Sequence, residues 1–574
     1  EVTRNYGETA SHKVSELLMH LGVAILAVTV LVMLAMGWRG GLVVFFSVPL
    51  TFALTLFSYY MLGYTLNRIT LFALVFVVGI VVDDSIIIAE NMHRHFHMKK
   101  LPFKQAAIFA INEVGNPTIL ATFTVIAAIL PMAFVSGMMG PYMSPMPIGA
   151  SIAMMLSLFV ALTITPYLGF HLLKVKDEKE HKEEQGLETG WIYKFYKKIE
   201  QPLLDNSKRR WTMLGITVVL LMISVMAFFT KWVAVKMLPF DNKNEVQVVI
   251  DMPEGTTLER TNAVAKEVAQ YLKTVPEMVN YQSYVGSSAP ITFNGLVRHY
   301  DLRGGSNMAD IQVNLLHKED RSEQSHDVAK KIRPEIQKIG KKYGANIKIV
   351  EVPPGPPVLS TIVAEIYGPN YEDQLKVADQ VQKILQNTDD VVDVDWMAEA
   401  PQTEFKLVAD KEKSMLNGVA PAQIVGNVTY LLGEHPVSYL YDEKSNQPVN
   451  IVMKLSDADK TNLQDITSLK VKGQMGNMVP VADLVKVEKD SLAKTIYRKD
   501  QKRVAYVLAD MAGGLESPAY AILGMENKLK NIKLPTGYKL NELYMKQPDD
   551  ESDFTVKWDG EWQITLEVIR ALGA

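Results

Sequence analysis

The sequence predicts a polytopic α-helical membrane bundle of six spans, followed by an outward-facing α+β domain of repeated ferredoxin-like βαβ subdomains. Three observations predict it. Long apolar runs fill the chain up to about residue 230, and from about residue 236 it reads as an ordinary charged, soluble mixture. In that second half a strand–helix–strand pattern recurs. The chain has 574 residues, 48% of them hydrophobic and 21% charged, with 27 prolines, 35 glycines, no cysteine and a formal charge of −4. This excludes a single globular domain, a disordered chain and a disulfide scaffold. The small net charge gives no sign of nucleic-acid binding. Without Cys, zinc-finger, iron–sulfur and thiol-nucleophile chemistry are excluded.

A helix rising ~1.5 Å per residue needs about 20 apolar residues to cross a hydrocarbon core roughly 30 Å thick. Six segments qualify, near 17–36, 41–62, 69–89, 116–136, 148–171 and 212–230. The first lacks the basic flank of a signal peptide. One set of connections holds Arg39, then Arg94, Lys99, Lys100 and Lys104, then ten Lys and Arg between 174 and 210; the alternate short loops hold Arg68 alone. The positive-inside bias puts the first set in the cytoplasm and the large C-terminal region outside. TGWIYKFYKKIEQPLL (189–204) sets aromatics and lysines on a helical pattern and is expected to lie flat on the inner leaflet, a plain linker helix being the alternative.

The third span, LFALVFVVGIVVDDSIIIAEN, carries adjacent Asp83 and Asp84 about 9 Å inside its end. An intramembrane carboxylate costs about 2.5–3.5 kcal/mol on insertion scales. Desolvation and mutual repulsion both favour the neutral acid, so at least one can hold a proton near neutral pH, while a nearby cation would favour ionisation. A pair alternating between the two conditions is a proton carrier; a structural ion pair is the bland alternative. Gly79 permits close helix approach. Pro49, Pro131 and Pro166 fall in or near spans. Glu90 reads as a solvated helix end, and His93, His95 and His97 as a basic membrane flank rather than a metal site.

The soluble half begins with strand EVQVVIDM (245–252), helix TTLERTNAVAKEVAQYLKT (256–274), opened by Thr and Glu in a capping arrangement, and strand MVNYQSYV (278–285). The unit recurs as ADIQVNLL, SHDVAKKIRPEIQKIGKKY and NIKIVEV; as TIVAEIYG, YEDQLKVADQVQKILQN and VVDVDWM; and as KRVAYVLAD, SPAYAILGMENKLKN and YKLNELY. Residues 401–498 look like an inserted subdomain. The long segment 287–307 carries Phe293, Arg298 and Tyr300 between flexible glycines, and PPGPP (353–357) is a rigid connector. No GxSxG, HExxH or GxxxxGK[ST] is present, the His residues show no ligand spacing, and the 28 methionines read mostly as core or lipid-facing.

GIVVDDSIIIAENMHRHF resembles the fourth transmembrane helix of the resistance–nodulation–division (RND) efflux pumps, in the AcrB-type hydrophobe/amphiphile branch. LPMAFVSGMMGPYMSPMPIGASIAMMLSLFVALTITPYLG resembles the fifth and sixth spans, MLPFDNKNEVQVVIDMPEGTTLERT the end of the seventh span and the start of a porter subdomain, and EFKLVADKEKSMLNGVAPAQIVGNVTYLLG the docking subdomain. The resemblance implies this division: 1–173, second to sixth spans; 174–209, a cytoplasmic linker with the interfacial helix; 210–235, the seventh span; 236–357, a periplasmic porter subdomain; 358–400 with 499–548, a second one; 401–498, the docking subdomain; 549–574, the start of the next span. Against the family's twelve-span plan the chain is expected to be a fragment, without the lysine that completes the family's relay. The resemblance further implies a secondary active transporter, not an enzyme, in the cell inner membrane. It would use protons as coupling ion with no cofactor and no resident metal, and would export amphiphilic small molecules. Asp83 and Asp84 would be relay carboxylates, and Phe293 and Tyr300 would lie at the substrate pocket. A homotrimer with a periplasmic adaptor and an outer-membrane channel is implied. The heavy-metal branch typically has one Asp followed by Gly; Asp84 followed by Ser85 favours organic substrates. Heavy-metal efflux and a membrane-anchored ligand-binding or assembly protein remain the alternatives.

Overall fold

The computed structural model describes residues 2–137, 139–173, 191–230, 232–233, 236, 240–290, 292–352, 355, 357–433, 435–456, 458–535 and 538–573. Residues 174–190 of the expected linker 174–209 and three residues of the expected connector 353–357 lie outside them. The chain divides into two compact units, 1–397 with 497–574, and 398–496.

The first unit opens with helices α1 (Tyr6–Met61), α2 (Arg68–Met98), α3 (Phe103–Ile129), α4 (Met139–Met143), α5 (Pro145–Leu172), α6 (Trp191–Asp205) and α7 (Ser207–Phe229). Among the described residues five helical stretches are long and apolar enough to cross a membrane: Tyr6–Met61, Ile69–Met98, Phe103–Phe134, Met139–Leu172 and Ser207–Ala227. The first contains two of the expected segments. As one straight rod its 56 residues would measure about 84 Å. It is not straight: Gly37 has φ 78° and ψ 169°, outside any helical region and open essentially to glycine alone. A Cβ built on Gly41 would lie 3.2 Å from the carbonyl oxygen of Thr29, a pair that a continuous helix would hold about 18 Å apart. The chain therefore reverses at Gly37. Leu21 and Val32 before the turn, and Val44, Val48 and Phe52 after it, join one core with Leu71, Leu74, Val77 and Val81 of α2 and Ala150, Ala153 and Met154 of α5. α2 is opened by Asn67, whose side chain accepts from the backbone N–H of Ile69 and Thr70 in a capping box. α6 carries its lysines and aromatics on one amphipathic helix, and α7 has no buried residue through Met226.

Next come β1 (Glu245–Asp251), α8 (Leu258–Leu272), β2 (Met278–Ser287), α9 (Phe293–Arg298), β3 (Gly304–Leu315), α10 (Ser325–Tyr343) and β4 (Asn346–Val350). The strands form an antiparallel sheet in the order β2-β3-β1-β4. Val246, Val248 and Ile250 alternate onto the face where Val264, Val268 and Leu272 of α8 and Val328, Ile332 and Ile336 of α10 close the core. The expected capping of α8 is not made: Thr257 stands at the N-cap without a side-chain bond, and the Thr256 hydroxyl turns to the Pro253 carbonyl at 2.6 Å.

β5 (Ile362–Tyr367), α11 (Tyr371–Gln386) and β6 (Val391–Trp396) follow. The chain then enters the second unit: β7 (Thr403–Ala409), α12 (Lys411–Leu416), α13 (Pro421–Leu432), β8 (Pro436–Leu440), β9 (Val449–Val452), α14 (Leu463–Thr467), β10 (Lys470–Lys472), β11 (Met478–Pro480), α15 (Val481–Leu484) and β12 (Val485–Ser491). β7 and β12 pair along their whole length, and β8 and β9 make an exposed hairpin. Its small core gathers Val419, Ile424, Val471, Val479, Val481 and Leu484.

Returning to the first unit, β13 (Tyr497–Lys499), β14 (Lys502–Met511), α16 (Pro518–Leu529), β15 (Leu540–Leu543), β16 (Phe554–Gly560) and α17 (Glu561–Gly573) complete the chain. β14 pairs with both β5 and β6, and β16 pairs with β5. The strand completing this sheet beside β5 is thus 554–560, not the expected YKLNELY, whose β15 adds only an outer edge parallel to β16. The reason is burial: Phe554, Val556 and Trp558 alternate into the core with period 2, while β15 is short and only half-buried.

The α/β region of the first unit sits at one end of the helices. The Tyr6 hydroxyl donates to Glu245 at 2.8 Å, and Lys318 bonds Glu16. Ile564 and Val568 of α17 pack on Val135 and Met139 in the connection before α5.

Candidate functional site

Successive residues on a helix point about 100° apart, so Asp83 and Asp84 cannot share a face. Asp84 turns into the bundle and is 8% exposed; Asp83 lies on the outer stripe formed with Phe72, Phe76, Gly79, Ile87 and Glu90. That stripe is largely apolar, and nothing lies within 4 Å of a Cβ built on Gly79.

Around Asp84 the structure assembles hydroxyls that the sequence reading did not single out. The Thr122 hydroxyl of α3 lies 3.2 Å from the Asp84 carboxylate and 2.9 Å from the carbonyl of Thr118, and its one O–H can donate to either. Ser157 of α5 donates to the Val81 carbonyl at 2.7 Å, one turn before Asp84, fixing α5 against α2. The next residue, Ser85, accepts from Thr165 of α5 at 3.2 Å, and Thr165 is 3.0 Å from Ser47 of α1. All five hydroxyl residues are buried. A hydroxyl both donates and accepts, so Thr122 can serve Asp84 in either protonation state by rotating its O–H. Among the described residues no basic side chain makes an ion pair with either Asp. The one sequence signal for these groups was Ser47, Thr51 and Thr55 at intervals of four in an apolar span. Each bonds the carbonyl four residues back, which lets a hydroxyl exist inside a membrane helix.

Nearer the far end of α2, Asn91 donates to the Ala110 carbonyl at 2.8 Å and to Glu113 at 2.9 Å. Glu113 also meets Arg94 at 3.2 Å and His95 at 2.7 Å. His93 and His97 lie with ring centroids 4.0 Å apart, so the three alternating histidines do not converge. Among the described residues no group of three His, Cys, Asp or Glu side chains is placed to hold a metal ion.

The segment between β2 and β3 is pinned rather than loose. Thr292 caps α9 by accepting from the Gly295 N–H at 3.1 Å. Arg298 reaches Asp510 at 2.7 Å, and Arg303 reaches Asp251 at 2.7 Å. Tyr300 lies between these anchors, its ring centroid 5.6 Å from the Arg303 guanidinium, and burial pushes its phenol up. Phe293 is 44% exposed, beside exposed Leu296 and Leu302. The two aromatics named from sequence therefore occupy different settings: Phe293 faces outward, and Tyr300 is partly buried between the two ion pairs.

Comparison with known proteins agrees with this architecture. The sequence matches the AcrB/AcrD/AcrF family over residues 4–552. It is 24% identical over 511 residues to the swarming motility protein SwrC of Bacillus subtilis (strain 168), covering 86% of this chain and 45% of SwrC. It is 26% identical over 439 residues to the multidrug export protein AcrF of Escherichia coli (strain K12), covering 73% of this chain and 40% of AcrF. A crystal structure of a heavy metal efflux pump superposes with a TM-score of 0.71 at 16% identity, covering 98% of this chain and 52% of that one. At that identity the likeness is one of fold. The chain spans about half the length of the curated relatives it matches. With apolar helices, a mixed α/β region and a match across nearly its whole length, the chain belongs to the AcrB/AcrD/AcrF family of RND transporters.

Proposed function

We propose that this chain is part of a proton-driven exporter of amphiphilic small molecules. The observation that carries the reading is Asp84, a carboxyl enclosed by membrane helices and contacted by a hydroxyl from a neighbouring helix, in a chain of a transporter family. The reversal at Gly37 supports counting six crossings. The connectivity β-α-β-β-α-β with the order β2-β3-β1-β4 supports a ferredoxin-like porter subdomain. β6-β14-β5-β16 repeats that order, with the second unit inserted between its second and third strands. On this reading the α/β domain is periplasmic, the membrane is the inner membrane, and the working assembly is a trimer joined to an adaptor and an outer-membrane channel.

In the proposed cycle, protonation of the Asp83/Asp84 pair removes charge from α2. α2 then shifts against its neighbours, and the shift reaches the α/β sheets through α1 and α17, which touch both regions. Each proton entering gains about 2.3 kcal/mol per 100 mV, enough to shift a two-state equilibrium between differently binding forms by more than tenfold. The test is Asp84→Asn in the full-length protein, in cells lacking other exporters. Export of amphiphilic dyes should be abolished at unchanged expression, and proton flux in proteoliposomes should stop. Wild-type export by the variant would overturn the reading. A heavy-metal cargo is the second reading; uptake of zinc or copper salts into inverted vesicles, with dyes unaffected, would favour it.

A further inference from the structure

Two sheets meet at a seam whose bridging ion pairs all run one way, cation from the first sheet's side and carboxylate from the second's, although Asp251 beside Lys348 at 2.7 Å and Glu351 beside His326 put acid on the first side too. The β2-β3-β1-β4 sheet and its helices contribute Arg298, His326, Lys330, Arg333 and Lys348; the sheet built on β14 and β5 contributes Asp393, Asp395, Asp510 and Glu516. The partners are Arg298 with Asp510 at 2.7 Å, His326 and Lys330 with Glu516 at 2.7 and 3.0 Å, Arg333 with Asp393, and Lys348 with Asp395. Edge strands β4 and β6 face one another here without a ladder. Asp393 instead accepts the Ile349 N–H of β4 at 3.1 Å. A cavity of about 20 Å³ remains in the seam, bordered by Phe240, Ile349, Glu351, Val358, Asp510 and Glu561. This differs from either sheet's own core, where contacts are apolar.

The acidic side is held in unfavourable backbone geometry. Asp390, Asp393 and Glu516 have φ of 61°, 53° and 50°. Asp390 accepts the N–H groups of Gly514 and Leu515, both at 3.1 Å, and so shapes the turn that presents Glu516. Left-handed non-glycine residues persist where surrounding contacts impose them, and they gather at sites that move or bind. His326 stands at the centre. Its ring stacks on Phe240 at 3.9 Å; Nδ1 is 2.7 Å from Glu351 of its own subdomain, and Nε2 is 2.7 Å from Glu516 across the seam. Lys236 completes the cluster, 3.2 Å from Glu516 and with Nζ 4.1 Å from the Phe240 ring centre.

We propose that this seam is a releasable clasp between the two sheets, closed by the doubly bonded His326 imidazolium. Both ring nitrogens can donate to carboxylates only when the ring is charged. Burial alone would push the imidazole down, but the hydrogen bonds to Glu351 and Glu516 outweigh it and raise its pKa to about 9. A raised value means that the clasp is fully present below the ordinary imidazole pKa of about 6.5, weakens above it, and is lost as pH rises through about 9. Ion pairs suit a releasable contact because each partner regains water on opening, whereas separating apolar faces would expose them.

The test is amide hydrogen exchange on the purified full chain in detergent, comparing 346–350 and 391–396 with 264–272 inside α8. In His326→Gln, exchange of the first two segments at pH 7 should rise about tenfold, the effect of one charge-assisted hydrogen bond, with 264–272 unchanged. At pH 10 wild type and variant should converge. Equal protection of wild type and variant at pH 7 would overturn the clasp. So would wild-type seam segments that fail to loosen relative to 264–272 between pH 8 and pH 10, a result that needs no variant to fold.

Discussion

Asp510→Ala provides a direct measure of how much one buried charge holds together. The Asp510 carboxylate accepts from Arg298 at 2.7 and 3.3 Å, from the hydroxyls of Ser360 and Thr361 at 2.8 Å each, and from the Thr361 N–H at 3.0 Å. Side-chain exposure is 8% for Arg298 and 13% for Asp510, so solvent screens the pair weakly. Burial opposes ionisation, yet Arg298 and the Thr361 donors hold this carboxyl well below the usual carboxylate range. Removing the carboxylate strands a buried guanidinium and the N–H and hydroxyl of Thr361, while Ser360 keeps the Ala509 carbonyl, and should cost about 3–5 kcal/mol. For a domain of this size that corresponds to a fall in Tm on the order of 10 °C. Tryptophan fluorescence during heating reads it, since Trp396, Trp558 and Trp562 all pack on the second sheet's core. The pH dependence has a definite sign. A depressed carboxyl stabilises the fold above its unfolded pKa of about 4 and loses that contribution as pH falls, so wild type should weaken below pH 5 with a slope that Asp510→Ala flattens. Arg298→Met in the Asp510→Ala background should cost less than the two single changes added together, because no buried charge is left alone. A fall in Tm below about 3 °C for Asp510→Ala, or full additivity in the double variant, would refute the reasoning.

Two further expectations concern packing. A Cβ on Gly149 of α5 would come within 2.9 Å of Cζ of Tyr59, whose buried hydroxyl has no hydrogen-bond partner among the described residues. Gly149→Ala should therefore lower the midpoint of thermal aggregation in detergent by the equivalent of about 1–3 kcal/mol, with Tyr59→Phe restoring part of it; an unchanged midpoint would mean that this contact is not rigid. Trp558 is fully buried in β16 and donates to Glu542 at 2.8 Å, so Trp558→Ala should cost about 3–5 kcal/mol, read as a loss of folded protein on heating; a cost below 1 kcal/mol would show that β16 is not integral to the sheet.

Particular residues mark how far the sequence could be read. Runs of apolar side chains identified the membrane helices because lipid forces backbone bonds to close within each helix. The same runs separated 17–36 from 41–62, with Arg39 between them, but the torsion at Gly37 that turns the chain there left no mark of its own in the apolar pattern. The Asp pair was conspicuous because a carboxyl is expensive in an apolar segment. Its division, with Asp84 inside and Asp83 outside, follows from helical geometry, but which of the two faces inward is set by the helices packed against α2. FTVKWDG alternates with the strand period and was legible in principle; reading 549–574 as the start of a span obscured it.

The order of helices and strands and the presence of an acidic pair in an apolar helix were fixed by local composition and periodicity, which depend on near neighbours along the chain. The hydroxyls around Asp84, the placing of Tyr300 between two ion pairs and the one-way ion pairs across the two sheets were decided in three dimensions. Thr122 lies 38 residues from Asp84, and Arg298 lies 212 from Asp510. Contacts at such separations leave no periodic trace, because they are chosen by which helix faces and strand edges come to lie against one another.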